Sequence, residues 1–223
     1  MSAVRHVLLD LDGTLTDSEA GIIGSMRHAL QAMGRASPDD AALRRLIGPP
    51  TFETFATLLG DDVRAVDECV HLYREHYGET GLFQSHLYPG VIDMLDALQA
   101  LGCSLFLATS KPLLYARRIL DHYALTPRFV GVHGAELDGT RADKTELIRH
   151  LLVTEQLDPA QCLMVGDRKH DIHGARANHV AVCSARWGYG EDAEIRAAAP
   201  DYQCATLAAL PPLVRSLAAQ VPG

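Results

Sequence analysis

The run Asp10-Leu11-Asp12-Gly13-Thr14-Leu15, directly after Val7-Leu8-Leu9, constrains this chain more than any other feature. A continuous apolar run that stops in acid reads as a buried parallel strand opening into a site at its carboxyl end. Strand side chains alternate, so Asp10 and Asp12 project to one side while Leu11 faces the core. Two carboxylates that close repel each other, and a cation or a shared proton must compensate. Gly13 then permits a sharp exit that few residues with a Cβ follow. An ordinary strand-to-turn junction also favours Asp and Gly, so the rest of the chain has to decide.

Three further segments follow in order. Residues 104–108 form a second apolar strand candidate, ending in Thr109-Ser110-Lys111-Pro112. Lys144 comes after the polar stretch 139–143 and opens a helix-like run at 147–152. Residues 162–165 are a third buried strand, ending in Gly166-Asp167, with Asp171 four residues on. Singly, Thr109 reads equally as a helix cap, Lys144 as a solvated lysine and Asp171 as an N-cap. Jointly, acid pair, hydroxyl, lysine and second acid pair resemble the four motifs of the haloacid dehalogenase superfamily in its phosphoryl-transferring form.

Between the first and second strands the pattern turns helical. Ser18 is a candidate N-cap for a helix through Ile22, Met26 and Leu30 ending at Gly34. Asp39 and Asp40 precede a short helix that Gly48-Pro49-Pro50 breaks. Thr51 opens the next, and Asp61 or Asp62 begins a longer run through Val66, Val70, Tyr73 and Tyr77. This all-helical block, placed at 17–84, resembles the superfamily's small inserted cap. Residues 1–16 and 85–223 alternate strand and helix, with further strands expected at 129–132 and 180–183 and a helix at 172–178. That alternation predicts an α/β, Rossmann-like core with a parallel sheet covered on both faces.

The resemblance implies a mechanism. Asp10 would be the nucleophile and Asp12 the acid and base. Thr109, Ser110 and Lys144 would bind the phosphoryl group. Mg²⁺ would be held by Asp10, the main-chain carbonyl of Asp12 and Asp167, with Asp171 orienting metal waters or Lys144. A dehalogenase lacks the acid at Asp12, so its presence points to phosphomonoester hydrolysis or phosphoryl transfer. No lysine lies in 17–84 to form the imine that phosphonate cleavage needs. A phosphosugar mutase shares nucleophile, acid and cap and is one alternative; a non-catalytic binding protein on this fold, which need not keep all these acids and the lysine, is the other. Ile47-Gly48-Pro49-Pro50, Thr109-Ser110-Lys111-Pro112 and Gly166-Asp167-Arg168 are similar to the phosphoglycolate phosphatase group and to bacterial nucleotidase-like relatives. In the cap, Arg44 and Arg45 offer a cation for a substrate carboxylate or second phosphate, or form a solvated helix end. The turn Trp187-Gly188-Tyr189-Gly190 is a candidate for the site rim.

Composition narrows the partners. A chain of 223 residues with 48% hydrophobic content has room for one sizeable core and a smaller appendage. Its net charge of -8 excludes a general nucleic-acid polymer binder, which needs a basic stripe. The five cysteines are odd in number and lack metal-ligand spacing, so free thiols are expected. No signal peptide is expected, and no apolar run approaches the roughly 20 residues of a membrane span. The expectation is therefore a soluble cytoplasmic monomer or homodimer acting on a small-molecule phosphate ester.

Overall fold

The amino-terminal apolar run becomes the centre of a parallel sheet. In the computed structural model, which describes residues 3–218, β1 (His6–Leu9) is followed by β2 (Thr16–Asp17) and four helices: α1 (Glu19–Ala32), α2 (Asp40–Arg44), α3 (Thr51–Leu59) and α4 (Val63–Glu79). The chain returns through β3 (His86–Leu87) to α5 (Val91–Ala100), β4 (Ser104–Pro112), α6 (Leu113–His122), β5 (Gly131–Ala135) and α7 (Lys144–Thr154). It ends with β6 (Cys162–Gly166), α8 (Lys169–Ala177), β7 (Ala181–Ala185), α9 (Asp192–Ala198), β8 (Tyr202–Cys204) and α10 (Leu210–Ala218). Residues 1–2 and 219–223 of the expected core lie outside the described residues.

The main sheet runs β5-β4-β1-β6-β7-β8, and every pairing in it is parallel. Period-two alternation divides its side chains between two apolar layers. Val7, Leu9, Leu105, Leu107, Leu163 and Val165 point to the face covered by α5, α6 and α10. Leu8, Phe106, Ala108 and Met164 point to the face covered by α7, α8 and α9. Each fully buried side chain of this size contributes about 1.5–3 kcal/mol of hydrophobic stabilisation, so the sheet centre is the most rigid platform the chain offers. Because β1 has β4 on one side and β6 on the other, the connections diverge there and leave a crevice at its carboxyl end.

The inserted helices form a cap. In α4, Val66, Cys69, Val70, Tyr73 and Tyr77 are buried at helical spacing and pack against α1. Asp39 and Asp62 cap α2 and α4 by accepting the Ala42 and Ala65 N–H groups at 2.8 and 3.2 Å. Both passages between cap and core run through one two-residue antiparallel ribbon, Thr16 opposite Leu87 and Asp17 opposite His86. No helix among the described residues is long and apolar enough to cross a membrane. All five cysteines are buried and free.

Several local expectations shift. The strand expected at 129–132 lies at Gly131–Ala135, because Phe129 turns into the core after a tight turn at 126–128 and Val130 is left exposed. The second strand extends past 108 to Pro112, with an irregularity between Thr109 and Pro112 that tolerates a residue lacking an N–H. Helix α8 begins at Lys169 rather than 172, since Asp171 accepts the Arg168 N–H and starts it earlier. Ser18 precedes α1, but its side chain caps nothing; it is turned to Asp12.

Candidate active site

Register alone brings the motifs together. Leu9 stands opposite Leu107 on one side and Val165 on the other, and the Asp10 N–H donates to the Val165 carbonyl at 3.0 Å. Asp10, Thr109 and Asp167 therefore leave three adjacent strands at the same edge. Helix α7 starts at Lys144, fixed by Asp143, whose side chain accepts the Glu146 N–H at 3.1 Å. The Lys144 ammonium reaches back to the sheet and donates to the Ala108 carbonyl at 3.0 Å. It lies 3.1 Å from Asp10 Oδ1 and 2.8 Å from Asp171 Oδ1. The loop after β1 fits only because residue 13 is glycine: its φ is +78°, and a Cβ there would sit 2.3 Å from Asp167 Oδ2.

Charge in this cluster is out of balance. Asp10, Asp167 and Asp171 are buried, and one oxygen of each lies within 4.8 Å of the others. Among the described residues, Lys144 is the one cation paired with them. Burial first, then the nearby acids, raise the Asp10 carboxyl to about 6 in spite of Lys144. Burial, with Asp171 and Asp10, holds Asp167 well above the usual carboxylate range. Burial opposes the Lys144 charge, but Asp10 and Asp171 outweigh it and raise the ammonium above its ordinary value. Asp167 Oδ2 accepts the Tyr189 N–H at 2.7 Å, whereas its buried Oδ1 has no partner. An all-oxygen donor set with surplus negative charge and an unpaired oxygen fits a hard divalent cation.

Asp12 stands beside this cluster at the mouth of a cavity. Its Oδ2 is 2.6 Å from Lys111 Nζ, and its Oδ1 accepts the Ser18 hydroxyl at 2.6 Å. Lys111 is itself buried, with its ammonium 4.7 Å from the centre of the Tyr77 ring. The cavity lies between cap and core. Ser110 and Lys111 line its floor, Ile47 and Pro49 one wall, and Tyr77 and Arg74 the other. Thr109 is buried at the strand end, where its oxygen accepts the Lys111 N–H at 3.3 Å and its own proton remains available to an acceptor.

Of the residues singled out from sequence, Asp10, Asp12, Thr109, Ser110, Lys144, Asp167 and Asp171 come to one end of the sheet. Arg45 does not join them. Its side chain is 67% exposed and pairs with Glu191 at 2.8 Å, outside the cavity lining. A cap cation that does line the cavity is Arg74, whose buried Nε has no hydrogen-bond partner among the described residues. Sequence reasoning missed Arg74 and the role of Lys111; the second had a visible signal, a lysine two residues past a strand-end threonine. The turn at 187–190 is packed against the site: Trp187 donates to the Thr14 carbonyl at 3.0 Å, and the Tyr189 hydroxyl to Asp17 at 2.9 Å.

Comparison with known proteins agrees with this geometry. Residues 7–185 match the family described as haloacid dehalogenase-like hydrolase. A 5'-nucleotidase of Pseudomonas aeruginosa is 44% identical over 217 residues, covering 96% of this chain and 98% of that protein. The tyrosine-protein kinase PtkA of Mycobacterium tuberculosis is 38% identical over 185 residues, 82% of this chain but 62% of that protein. The crystal structure of a predicted phosphatase from Clostridium acetobutylicum superposes with a TM-score of 0.93 at 30% identity, covering 96% of this chain and all of that one.

Proposed function

Because this chain belongs to the haloacid dehalogenase-like hydrolases, we propose that it is a Mg²⁺-dependent phosphatase that hydrolyses a small phosphomonoester through an aspartyl-phosphate on Asp10. The observation that carries this reading is the buried, undercompensated acid cluster of Asp10, Asp167 and Asp171 against Lys144, at the carboxyl edge of the sheet. We take 17–84 as the cap and 1–16 with 85–223 as the catalytic core.

Asp10, the main-chain carbonyl of Asp12 and Asp167 are the residues to hold Mg²⁺. The cation would neutralise charge between the acids and the phosphate and polarise the phosphoryl oxygens. The chain's own groups do the rest. Asp10 attacks phosphorus, forming the acyl-phosphate bond while the ester P–O bond breaks. Asp12 gives its proton to the departing oxygen and later takes one from the water that attacks the acyl phosphate. Ser18 and Lys111 fix the Asp12 carboxyl from either side. Thr109, the Ser110 N–H and Lys144 hold the phosphoryl oxygens, a preorganised compensation of charge. Asp171 keeps Lys144 aimed at Asp10.

Cavity shape bears on the leaving group. The cavity has Tyr73, Tyr77 and Tyr115 in its walls, and aromatic faces of this kind favour apolar or planar groups. It supports a planar or apolar leaving group, as in a nucleotide, over the two-carbon acid of phosphoglycolate. Arg74 is placed to read an acceptor at its far end. The test is a phosphate-release screen over nucleoside monophosphates, sugar phosphates, phosphotyrosine and phosphoglycolate, with EDTA and with Mg²⁺. Mg²⁺-dependent release, fastest with planar leaving groups, is expected. Release unaffected by chelator would end the metal assignment, and a preference for phosphoglycolate would end the substrate assignment.

A further inference from the structure

Arg168 follows Asp167 directly, yet its side chain turns away from the acids and crosses to the cap. Its Nη1 donates to the Ile47 carbonyl and its Nη2 to the Arg45 carbonyl at 3.2 Å. On the core side, Nε and Nη2 hold Glu194 at 2.9 and 3.2 Å, and Glu194 also accepts the Lys169 N–H at 2.9 Å. The side chain is 8% exposed, and four of the five guanidinium N–H groups go to two main-chain carbonyls and one carboxylate. None of these contacts is to the acids of the cluster.

The cap loop is shaped to this partner. Gly48 has φ +116°, and a Cβ there would lie 3.0 Å from Arg168 Cγ and 3.1 Å from Nη1. The loop residues Leu46, Ile47, Gly48 and Pro49 line the leaving-group cavity. At the outer end of the same loop, Arg45 pairs with Glu191 across the cap–core boundary. One side chain, adjacent in sequence to Asp167, thus grips the cavity wall on the opposite domain. Buried hydrogen bonds to a charged group are the strong kind, and an arginine fork serves two carbonyls where a lysine cannot.

We propose that Arg168 is a positioning residue, a latch that seats the cap loop 45–49 over the cavity and keeps it in register with the Asp167 loop. Glu194 holds the latch in place. Arg168 touches neither the phosphoryl group nor the reacting atoms; it sets how firmly the cavity closes on the leaving group. The kinetic part of this inference rests on the phosphatase reading, and the structural part does not.

The experiment compares the full-length wild-type protein with Arg168→Ala, Arg168→Lys and Glu194→Gln. Amide hydrogen exchange over residues 45–48 should accelerate by about tenfold or more in both Arg168 variants, because the two lost carbonyl contacts tie this loop to the core. Lysine should fail to rescue it, and Glu194→Gln should move the same amides by a smaller factor. Mg²⁺ affinity by calorimetry should change less than about threefold. In turnover, kcat/KM on AMP should fall by about tenfold, while acetyl phosphate, whose leaving group barely enters the cavity, should lose less than about threefold. Loop exchange unchanged in Arg168→Ala would overturn the latch. So would equal losses on both esters with a parallel loss of Mg²⁺ affinity, which would make Arg168 a prop for the metal loop. Should Arg168→Ala not fold, Arg168→Lys and Glu194→Gln decide by the same exchange readout. A protein that hydrolyses no ester would refute the phosphatase reading but leave the exchange result to judge the latch.

Discussion

Changing Asp10 to Asn should stabilise the metal-free protein while removing its turnover. The carboxylate is buried among Asp167, Asp171 and Asp12, and Lys144 compensates only in part. A carboxyl raised from the ordinary 3.8 to about 6 carries a charge that the fold disfavours by about 3 kcal/mol, at about 1.4 kcal/mol per pH unit. An acid whose folded value lies above its unfolded value makes its contribution below the unfolded value. Stability is then lost as pH rises from about 4 through about 6. Above that window the wild-type protein bears the full penalty and the neutral isostere escapes it. At pH 8 in EDTA, Asp10→Asn should gain up to about 3 kcal/mol, or up to about 10 °C in Tm for a chain of this size. The gain should shrink towards zero near pH 4, where wild-type Asp10 is protonated. Mg²⁺ should reverse the order, because the wild-type site gains a ligand-bound stabilisation that the variant largely forgoes. The assay is thermal unfolding at both pH values, with EDTA and with Mg²⁺, beside phosphate release. A variant less stable than wild type in EDTA at pH 8, or one that keeps near-normal turnover, would refute the reasoning.

Other expectations follow from the same contacts. Lys144→Met leaves three buried acids without their cation and should cost about 3–5 kcal/mol at pH 8, checked by urea unfolding, with kcat lower by about a hundredfold or more. Lys111→Met removes one of the two partners of the Asp12 carboxyl; kcat should fall by about tenfold or more on esters with poor leaving groups and less on p-nitrophenyl phosphate, which needs little proton donation. Arg74→Ala should reorder substrates in the release screen, while Arg45→Ala, at an exposed pair, should change stability by less than about 1 kcal/mol and leave the ranking as it was. Leu9→Ala, in the centre of the sheet, should cost about 2–5 kcal/mol in unfolding free energy with no preference among substrates.

The parts of the site that were legible in the sequence are those whose signal is local. An apolar run ending in a polar motif announces a strand end, and three such ends in a parallel sheet must share an edge, which brings Asp10, Thr109 and Asp167 together. The helical block was legible for the same reason, since Val66, Val70, Tyr73 and Tyr77 repeat at helical spacing. What escaped depends on orientation between distant segments. Arg45 and Arg74 are both cap arginines near apolar stripes, and only packing of α4 against α1 decides that Arg74 faces the cavity. Ser18 has the chemistry of an N-cap, yet a carboxylate six residues earlier competes for its hydroxyl and takes it. Lys111 and Asp12 are 99 residues apart, and their pairing follows from the register of β1 with β4. The strand expected at 129–132 slid along the chain because an edge strand has one neighbour, and Phe129 gains more from the core than from the ladder.

The central claim is that phosphate passes through Asp10, and it can be read directly. The enzyme is mixed with excess ester and Mg²⁺, quenched in cold acid within the first turnovers, digested with pepsin at low pH and analysed by peptide mass spectrometry. The account predicts an alkali- and hydroxylamine-labile phosphate on the peptide that carries Asp10, absent with EDTA and absent in Asp10→Asn. Phosphate on any other peptide, or brisk turnover with no phosphorylated peptide under conditions that trap acyl phosphates, would contradict it.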